Sequence, residues 1–226
     1  MRAIKAVAYL KNGFSSSDPM SPSIDSMIGF LWAKNNISDS ELSSSCGKMI
    51  TLDRLPIGKE VVGSDWWYQC SMPIYDGTVK YQRFYHRRFD VFHAEKHMKT
   101  KKGKIATSSG PTKNFRLSSI VHICPSVEWH FIGNDECIEM LQSITHIGAR
   151  TGAGEGSVIG WKFSDGSEDI ARKLRPIPAD YSESIGVVGY NMYWGYRPAV
   201  RLPENKAICT IPEVSMLGGE DGGTKR

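Results

Sequence analysis

The chain opens with alternating apolar residues, followed by an apolar face at helical spacing. Residues 4–10, IKAVAYL, are rich in Val, Ile and Tyr, which predicts a strand near the centre of a sheet. From Ile24 onwards, one face of a helix would be buried, and Ser23 is placed to cap the helix. The apolar residues of this face are Ile24, Met27, Ile28, Leu31 and Trp32. The chain therefore begins with a strand and then a helix.

The middle of the chain predicts five more strands and a second helix. Trp66–Ile74 is an aromatic run that ends before the turn signal Asp76-Gly77, so we expect it to form a hairpin with Val79–Phe92. The next predicted elements are two strands, a helix and a strand: Phe115–Cys124, Val127–Ile132, Asp135–Ile144 and Ser157–Phe163. Collected in order, the elements are a strand, a helix, a long β hairpin, a helix and a strand, which is the α+β ferredoxin-like (βαββαβ) arrangement.

Beyond Asp165, the chain consists of short strand-like runs separated by prolines and glycines. This pattern predicts a small β lobe at the C-terminal end. We therefore predict a ferredoxin-like domain over residues 1–165, with an inserted basic projection at about 90–115. The β lobe is expected over 166–214. Residues 215–226 are rich in glycine and are expected to be a disordered tail.

Composition excludes several classes of protein. The 226 residues are 40% hydrophobic and include six Trp, which indicates a packed globule. No apolar run reaches the 18 or so residues of a membrane span, and MRAIKAVAYLKNG does not resemble a signal peptide. The five cysteines are odd in number and never form Cys-x-x-Cys. We therefore expect reduced thiols in a cytoplasmic protein, without a zinc knuckle.

Positive charge is concentrated in one segment. The formal net charge is +4, yet the segment Lys80–Arg116 contains eleven Lys and Arg against Asp90 and Glu95. Its local charge is +9, which leaves −5 for the remainder of the chain. Such a cluster is typical of a protein that binds a polyphosphate, although a solvated lysine-rich loop would have the same composition.

Within this segment, aromatic and cationic residues alternate. On the predicted strand Val79–Phe92, one face carries Tyr81, Arg83, Tyr85, Arg87 and Phe89. Such a face can stack bases and neutralise phosphates at the same time. A half-buried amphipathic strand with its arginines in water is the alternative. His93–Lys113 follows, and we interpret it as a mobile basic projection because it lacks a sustained apolar face.

The stretch His146–Phe163, HIGARTGAGEGSVIGWKF, contains four glycines within nine residues, at positions 148, 152, 154 and 156. They permit positive φ angles and leave backbone N–H groups uncovered, so a phosphate could approach the main chain closely. Nucleotide-binding fingerprints place their glycines after a strand and before a helix, whereas this turn has the opposite order. We therefore exclude nucleotide hydrolysis and retain two interpretations, a tight packing turn and a nucleic-acid contact loop.

A ferredoxin-like unit with a glycine-rich loop after its second helix resembles the RAMP superfamily of CRISPR-associated RNA-binding proteins, which has an RRM-like core. Three segments, SPSIDSMIGFLWAK, GARTGAGEGSVIGWKF and YRPAVRLPENKAICTIPE, are similar to the type IV effector subunit that caps the 5′ handle of the CRISPR RNA. They cover about residues 4–213. The loop is specific only to the superfamily, and the late segment supports the narrower assignment.

The resemblance implies a non-catalytic, single-copy subunit, and we expect neither a cofactor nor a metal. Its partners would be the 5′ handle of the CRISPR RNA and the backbone-forming and large subunits, while target DNA and an accessory helicase would be reached only indirectly. The glycine-loop residues implied to bind RNA are Gly148, Arg150, Thr151, Gly152, Gly154 and Gly156. The cations of the projection, or thumb, and its base are Arg83, Arg87, Arg88, Lys96, Lys99, Lys101, Lys102, Lys104, Lys113 and Arg116.

Two other functions compete with this interpretation. Some RAMP proteins cleave CRISPR repeat RNA without metal, and His86, Tyr85 and Lys96 have suitable acid, base and cation chemistry. Further candidates are His93, His97, His122, His130 and His146. A pure protein scaffold would leave the basic segment without a purpose. Metal binding has little support, because Glu95 does not complete an HExxH pattern with His93 and His97.

Overall fold

The computed structural model describes residues 1–16, 18, 20–37, 52–76, 79–97 and 105–213. The protein is a mixed α/β structure with small antiparallel sheets. Its described strands are β1 Arg2–Leu10, β2 Phe14–Ser15, β3 Lys59–Val62, β4 Asp65–Tyr68, β5 Val79–Arg87, β6 Phe115–Ile123, β7 Ser126–Gly133, β8 Val158–Asp165, β9 Ile177–Pro178, β10 Gly189–Gly195 and β11 Lys206–Pro212. Its described helices are α1 Ile24–Asn36, α2 Val91–His97, α3 Asp135–Gln142, α4 Glu168–Lys173 and α5 Ala179–Ile185.

The first sheet has the order β7-β1-β8, with both outer strands antiparallel to β1. The predicted strand at residues 4–10 is therefore confirmed in its central position. Ala6 lies opposite both Trp129 and Phe163. Ile4 and Ala6 lie on the same face of β1, and both are buried, so this face of the strand contributes to the core. The predicted helix at Ile24 is also confirmed, and α1 contacts α3.

Two details of the helix ends differ from expectation. Ser23 does not cap α1, because its hydroxyl donates to Oδ1 of Asp25 (2.5 Å) instead of accepting a backbone N–H. Helix α3, which corresponds to the predicted helix Asp135–Ile144, ends at Gln142, two residues before the predicted end. Asn134 caps it by accepting the N–H of Cys137 at 3.3 Å. Short polar side chains at helix starts have several competing partners, which the sequence pattern does not rank.

The predicted hairpin between Trp66–Ile74 and Val79–Phe92 is wrong. Strand β4 pairs with β3, and β5 pairs with β6 over its whole length, from Val79 opposite Ile123 to Arg87 opposite Phe115. After β4, the chain runs beside β7 through single bridges, so its backbone groups already have partners there. Strands β5 and β6 thus form a ribbon, and most residues of β5 are exposed.

The expected projection at His93–Lys113 begins differently from the prediction. Helix α2 covers Val91–His97, because the carboxylate of Asp90 accepts the N–H of His93 at 3.0 Å and so satisfies a free donor of the first turn. Residues 98–104 lie outside the described part of the chain.

None of the helices in the described ranges has both the length and the apolar character needed to cross a bilayer.

A second core lies beneath the sheet β10-β11-β9. It contains residues from the predicted C-terminal lobe, such as Ile177 and Cys209, but also Met20, Trp67 and Met72 from the first part of the chain. The boundaries at 1–165 and 166–214 stay predictions, and residues 215–226 are outside the described ranges.

A buried ion pair connects the start of α1 to the segment after α4. The side chains of Asp25 and Arg175 are 4% and 5% exposed, and Oδ2 of Asp25 lies 3.6 Å from Nη2 of Arg175. The same guanidinium donates to the carbonyl oxygen of Tyr196 at 2.6 Å and to that of Cys70 at 3.4 Å. Arg175 therefore joins parts of the chain that belong to both cores.

Candidate nucleic-acid interface

The glycine stretch forms an irregular loop between α3 and β8. Arg150 adopts a left-handed conformation (φ 60°), residues Thr151–Ala153 form one turn of 3-10 helix, and Gly154 is again left-handed (φ 82°). The loop returns to the sheet beside its own start, because the N–H of Ile147 donates to the carbonyl oxygen of Gly156 at 2.9 Å. This anchors both ends of the loop on the protein core.

Two of the four glycines are required by packing. Gly148 has a φ of +78°, and a Cβ there would lie 2.6 Å from the carbonyl oxygen of Ser15. Gly156 has a φ of +70°, and a Cβ there would overlap the carbonyl oxygen of Ile147. For these two positions, the packing-turn interpretation is sufficient.

The other two glycines face open space. A Cβ at Gly152 or Gly154 would meet no atom of the described residues within 4 Å. Packing therefore does not require glycine at position 152, and at 154 only the positive φ does. A bare backbone that faces solvent is accessible to a ligand oxygen, as in the peptide nests that bind anions. These positions fit the contact-loop interpretation.

Glu155 ties the loop to the ribbon. Its side chain is only 4% exposed, and its Oε1 accepts from Nη1 of Arg83 at 2.5 Å and from the hydroxyl of Tyr85 at 2.9 Å. The hydrogen bond to Glu155 raises the pKa of Arg83, and burial together with the same carboxylate raises the pKa of Tyr85. The loop and strand β5, predicted separately, thus meet at one carboxylate.

Two guanidinium groups lie near the ring of Tyr85. The Cζ atom of Arg150 is 5.0 Å from the ring centroid, and that of Arg83 is 5.5 Å from it. Both distances fall in the range of cation–π contact. Arg150 thus extends from the glycine loop to the aromatic face of the ribbon.

The remaining predicted cations do not form one cluster. Arg87 lies on the same face of β5 as Arg83 and donates to the carbonyl oxygen of Pro111 at 3.0 Å. Arg116 lies on the opposite face, with its Cζ 3.6 Å from the ring centroid of Phe84.

Of the others, Lys96 lies over the ring of Phe92 on α2, at 4.3 Å, and Arg88 and Lys113 are exposed. The predicted residues that lie outside the described ranges are Lys99, Lys101, Lys102 and Lys104. The described cations are therefore spread over both faces of the ribbon and the short helix beyond it.

The candidates for RNA cleavage are dispersed. Tyr85 and His86 point to opposite faces of β5, as their adjacency in a strand dictates. The rings of His93 and His97 lie 6.3 Å apart on α2.

The other histidines have different surroundings. His130 is buried, with Nδ1 accepting from the N–H of Ser167 and Nε2 within 2.8 Å of a Glu128 oxygen. His122 contacts Tyr75, and His146 is exposed. Within the described ranges, no three His, Cys, Asp or Glu side chains are grouped as a metal site requires.

Four cysteines are buried as free thiols in the described residues. Burial raises the pKa of Cys124 and Cys209 to about 11 each, and that of Cys70 to about 12. At neutral pH these side chains are protonated, and they pack as small apolar groups.

Sequence reasoning missed Glu155. The signal was available, because Glu155 is the single acidic residue between His146 and Phe163, in a stretch otherwise interpreted as an anion cradle. An acid in such a place should have a cationic partner, and alternation on β5 offers Arg83.

We expect Arg83→Ala to lower the melting temperature more than Arg87→Ala does, because it leaves the Glu155 carboxylate with a neutral donor only. Adding Glu155→Gln to Arg83→Ala should recover part of the loss, since the buried charge is then removed. Thermal unfolding of the single and double variants measures this coupling. Equal melting temperatures for Arg83→Ala and Arg87→Ala would contradict the assigned role of Glu155.

Comparison with known families gives one match. The model of the family described as CRISPR type IV associated protein Csf3 matches residues 7–199, which is most of the chain. No curated protein matches the sequence.

Proposed function

The chain belongs to the CRISPR type IV associated Csf3 family, whose members are type IV CRISPR RAMP proteins, and from this premise we propose that it binds CRISPR RNA in a type IV effector. In this proposal the protein is a non-catalytic subunit of the ribonucleoprotein. It caps the 5′ repeat-derived handle of the guide and nucleates assembly with the backbone-forming and large subunits.

The observation that carries the proposal is the contact of Arg150 with Tyr85. It brings together a cation of the loop that contains Gly152 and Gly154 and an aromatic ring of the ribbon. Single-stranded RNA is bound by stacking its bases on aromatic rings and by neutralising its phosphates. Both kinds of group are present here at one point of the surface.

The conformation of Arg150 adds support. A left-handed backbone costs a residue with a side chain roughly 1–2 kcal/mol, so glycine would be the ordinary choice at this position. Strained backbone of this kind is concentrated at functional sites. The strain is consistent with a requirement for the guanidinium group at this position.

A ferredoxin-like core, as in RAMP proteins, is part of the proposal. Strand β1 lies between β7 and β8, which are the third and last strands of the βαββαβ order. In the βαββαβ order, the second strand would pair with the free edge of β7. Here that edge instead forms single β-bridges with Ile57, Cys70 and Ile74. This order supports a core in which one edge strand is reduced to an irregular segment.

We expect the triple variant Arg87→Ala/Arg88→Ala/Arg150→Ala to bind a single-stranded handle RNA more weakly and with a smaller salt dependence. Each phosphate contact on a single strand contributes about 0.7 to the slope of log K against log salt, so three lost contacts reduce it by about 2. Arg83 is left intact, because it is paired with the buried Glu155. Dissociation constants measured between low and moderate salt give the slope.

The control is a variant with the same change of charge at exposed cations outside the loop and the ribbon: Arg54→Ala/Lys162→Ala/Arg201→Ala. Its slope should stay close to that of the unmodified protein. Equal slopes for the two triple variants would refute RNA binding at this surface. Specific cuts in repeat RNA incubated with the protein in EDTA, lost on His86→Ala, would refute the non-catalytic assignment in favour of an endoribonuclease.

A further inference from the structure

A groove of about 620 Å³ lies beside the glycine loop. Helix α1 forms one wall, and the segment from the end of α3 to the loop forms the other. The residues that line it include Met27, Phe30, Leu31, Ile144, Gly148 and Gly152. Its volume is within the range of roughly 300–1,000 Å³ that is usual for small-ligand sites. Because Gly152 belongs to both the groove and the open part of the loop, the two surfaces are continuous.

Phe30 is the most unusual side chain of this groove. It lies in the middle of α1 and is 70% exposed, although its neighbours Met27 and Leu31 are partly buried. An exposed ring in the lining of a groove with apolar residues suits a flat ligand with apolar faces. Nucleobases have this character, and stacking on an aromatic side chain does not depend on which base is present.

The groove also carries polar groups suited to a nucleotide. Ser26, Ser143 and Thr145 supply hydroxyl groups, and the exposed ring of His146 lies beside Thr145, with Nδ1 3.1 Å from its Oγ1. Such groups can bind a base edge or the 2′-hydroxyl of a ribose. The combination of an aromatic ring, small hydroxyls and an open backbone is chemically closer to a nucleotide site than to a purely apolar protein-docking groove.

The charges around the groove limit the path that an RNA strand could take beyond it. Lys34 lies where the groove meets a second cleft of about 480 Å³, and that cleft contains Glu136 and Glu139. A phosphate is attracted to Lys34 and repelled by the two carboxylates of α3. The groove therefore suits a short stretch of nucleotides between the glycine loop and Lys34, with no continuation past α3.

We infer that this groove binds an unstacked nucleotide of the CRISPR RNA strand whose neighbouring phosphate lies on the glycine loop, with Phe30 stacked on its base. The inference rests on the proposed RNA-binding function and assigns a base-binding site to it. Phe30 contributes through stacking and carries no charge, whereas Arg150 contributes through phosphate neutralisation. The two contributions can therefore be separated by their salt dependence.

The test combines protein variants with a set of handle RNAs, each lacking the base at one position. We expect Phe30→Ala to weaken binding of the intact handle about tenfold, the scale of one base stacked on an aromatic ring, without changing the salt slope. One abasic RNA should show the same loss with the unmodified protein and no further loss with Phe30→Ala. Phe30→Trp should restore affinity. Ile159→Ala, which truncates an equally exposed apolar side chain on β8, should have no effect.

The outcomes separate this inference from the proposed function. If the unmodified protein binds the handle and Phe30→Ala binds it equally well, or if no abasic position couples to Phe30, the nucleotide site is wrong while RNA binding stands. If in addition Phe30→Ala prevents association with another subunit of the complex, the groove is a protein interface. If the unmodified protein has no affinity for the handle at any salt concentration, both proposals fall.

Discussion

Replacing Gly156 by alanine is expected to lower the free energy of unfolding by about 3 kcal/mol. The left-handed conformation alone costs a residue with a Cβ roughly 1–2 kcal/mol. The new methyl group would also overlap the carbonyl oxygen of Ile147, which is backbone and cannot rotate away. Overpacking of this kind typically adds about 1–3 kcal/mol.

The structure around Gly156 allows little adjustment. Ile147 is buried, and its own N–H donates to the carbonyl oxygen of Gly156, so a shift of either residue breaks the closure of the loop. At roughly 2–4 °C per kcal/mol for a chain of this size, the melting temperature should fall by about 10 °C. Thermal unfolding followed by circular dichroism measures the change.

Gly152→Ala is the matched control, because its Cβ would meet no atom of the described segments within 4 Å and its φ is not positive. Its stability should stay within about 0.5 kcal/mol of the unmodified protein. Its affinity for handle RNA should nevertheless fall, since the methyl group covers backbone that we propose to be a phosphate site. A Gly156→Ala protein with unchanged stability would show that the loop is not anchored as described.

The second large effect is expected from Asp25→Asn, which removes the charge opposite the buried Arg175. Loss of one member of a buried ion pair leaves the other charge without compensation, and the usual cost is about 3–5 kcal/mol. The separation of 3.6 Å between Asp25 and Arg175 places this pair at the lower end of the range. We expect a loss of about 3 kcal/mol in denaturant unfolding.

Asp135→Asn provides the comparison, because Asp135 pairs with Arg2 at 3.0 Å on the surface, where both side chains are largely exposed. That change should cost no more than about 1 kcal/mol. Combining Asp25→Asn with Arg175→Met should recover part of the loss, since no uncompensated charge then remains in the interior. If Asp25→Asn were as stable as the unmodified protein, Arg175 would not need this partner.

Local pattern was sufficient for the elements whose neighbours lie close in sequence or whose burial is periodic. The apolar positions of α1 and the alternation of β1 determine both elements without reference to the remainder of the chain. Strand pairing was not accessible in the same way. Asp76-Gly77 indicates a turn but does not decide the partner of β5, which lies almost thirty residues further along in β6.

The candidate site was predictable in its parts but not in its assembly. The glycine loop and the aromatic and cationic face of β5 are visible in the sequence, and each permitted a structural and a functional interpretation. Deciding between them requires the positions of neighbouring atoms. The carbonyl oxygen of Ile147 explains why position 156 is glycine, whereas none of the described residues packs against Gly152. The burial of Glu155 is likewise a tertiary property, because its partners come from a strand about seventy residues away.

The attachment of Arg83 and Tyr85 to Glu155 also bears on the rate of complex formation. The contacting side chains of Arg83, Tyr85 and Glu155 hold the ribbon and the loop together. Association therefore spends less conformational entropy than it would if two independent segments had to be brought together during the encounter. For the proposed RNA-binding function, a pre-assembled surface of this kind favours fast capture of the guide, with an association rate limited by diffusion and orientation rather than by folding of the protein.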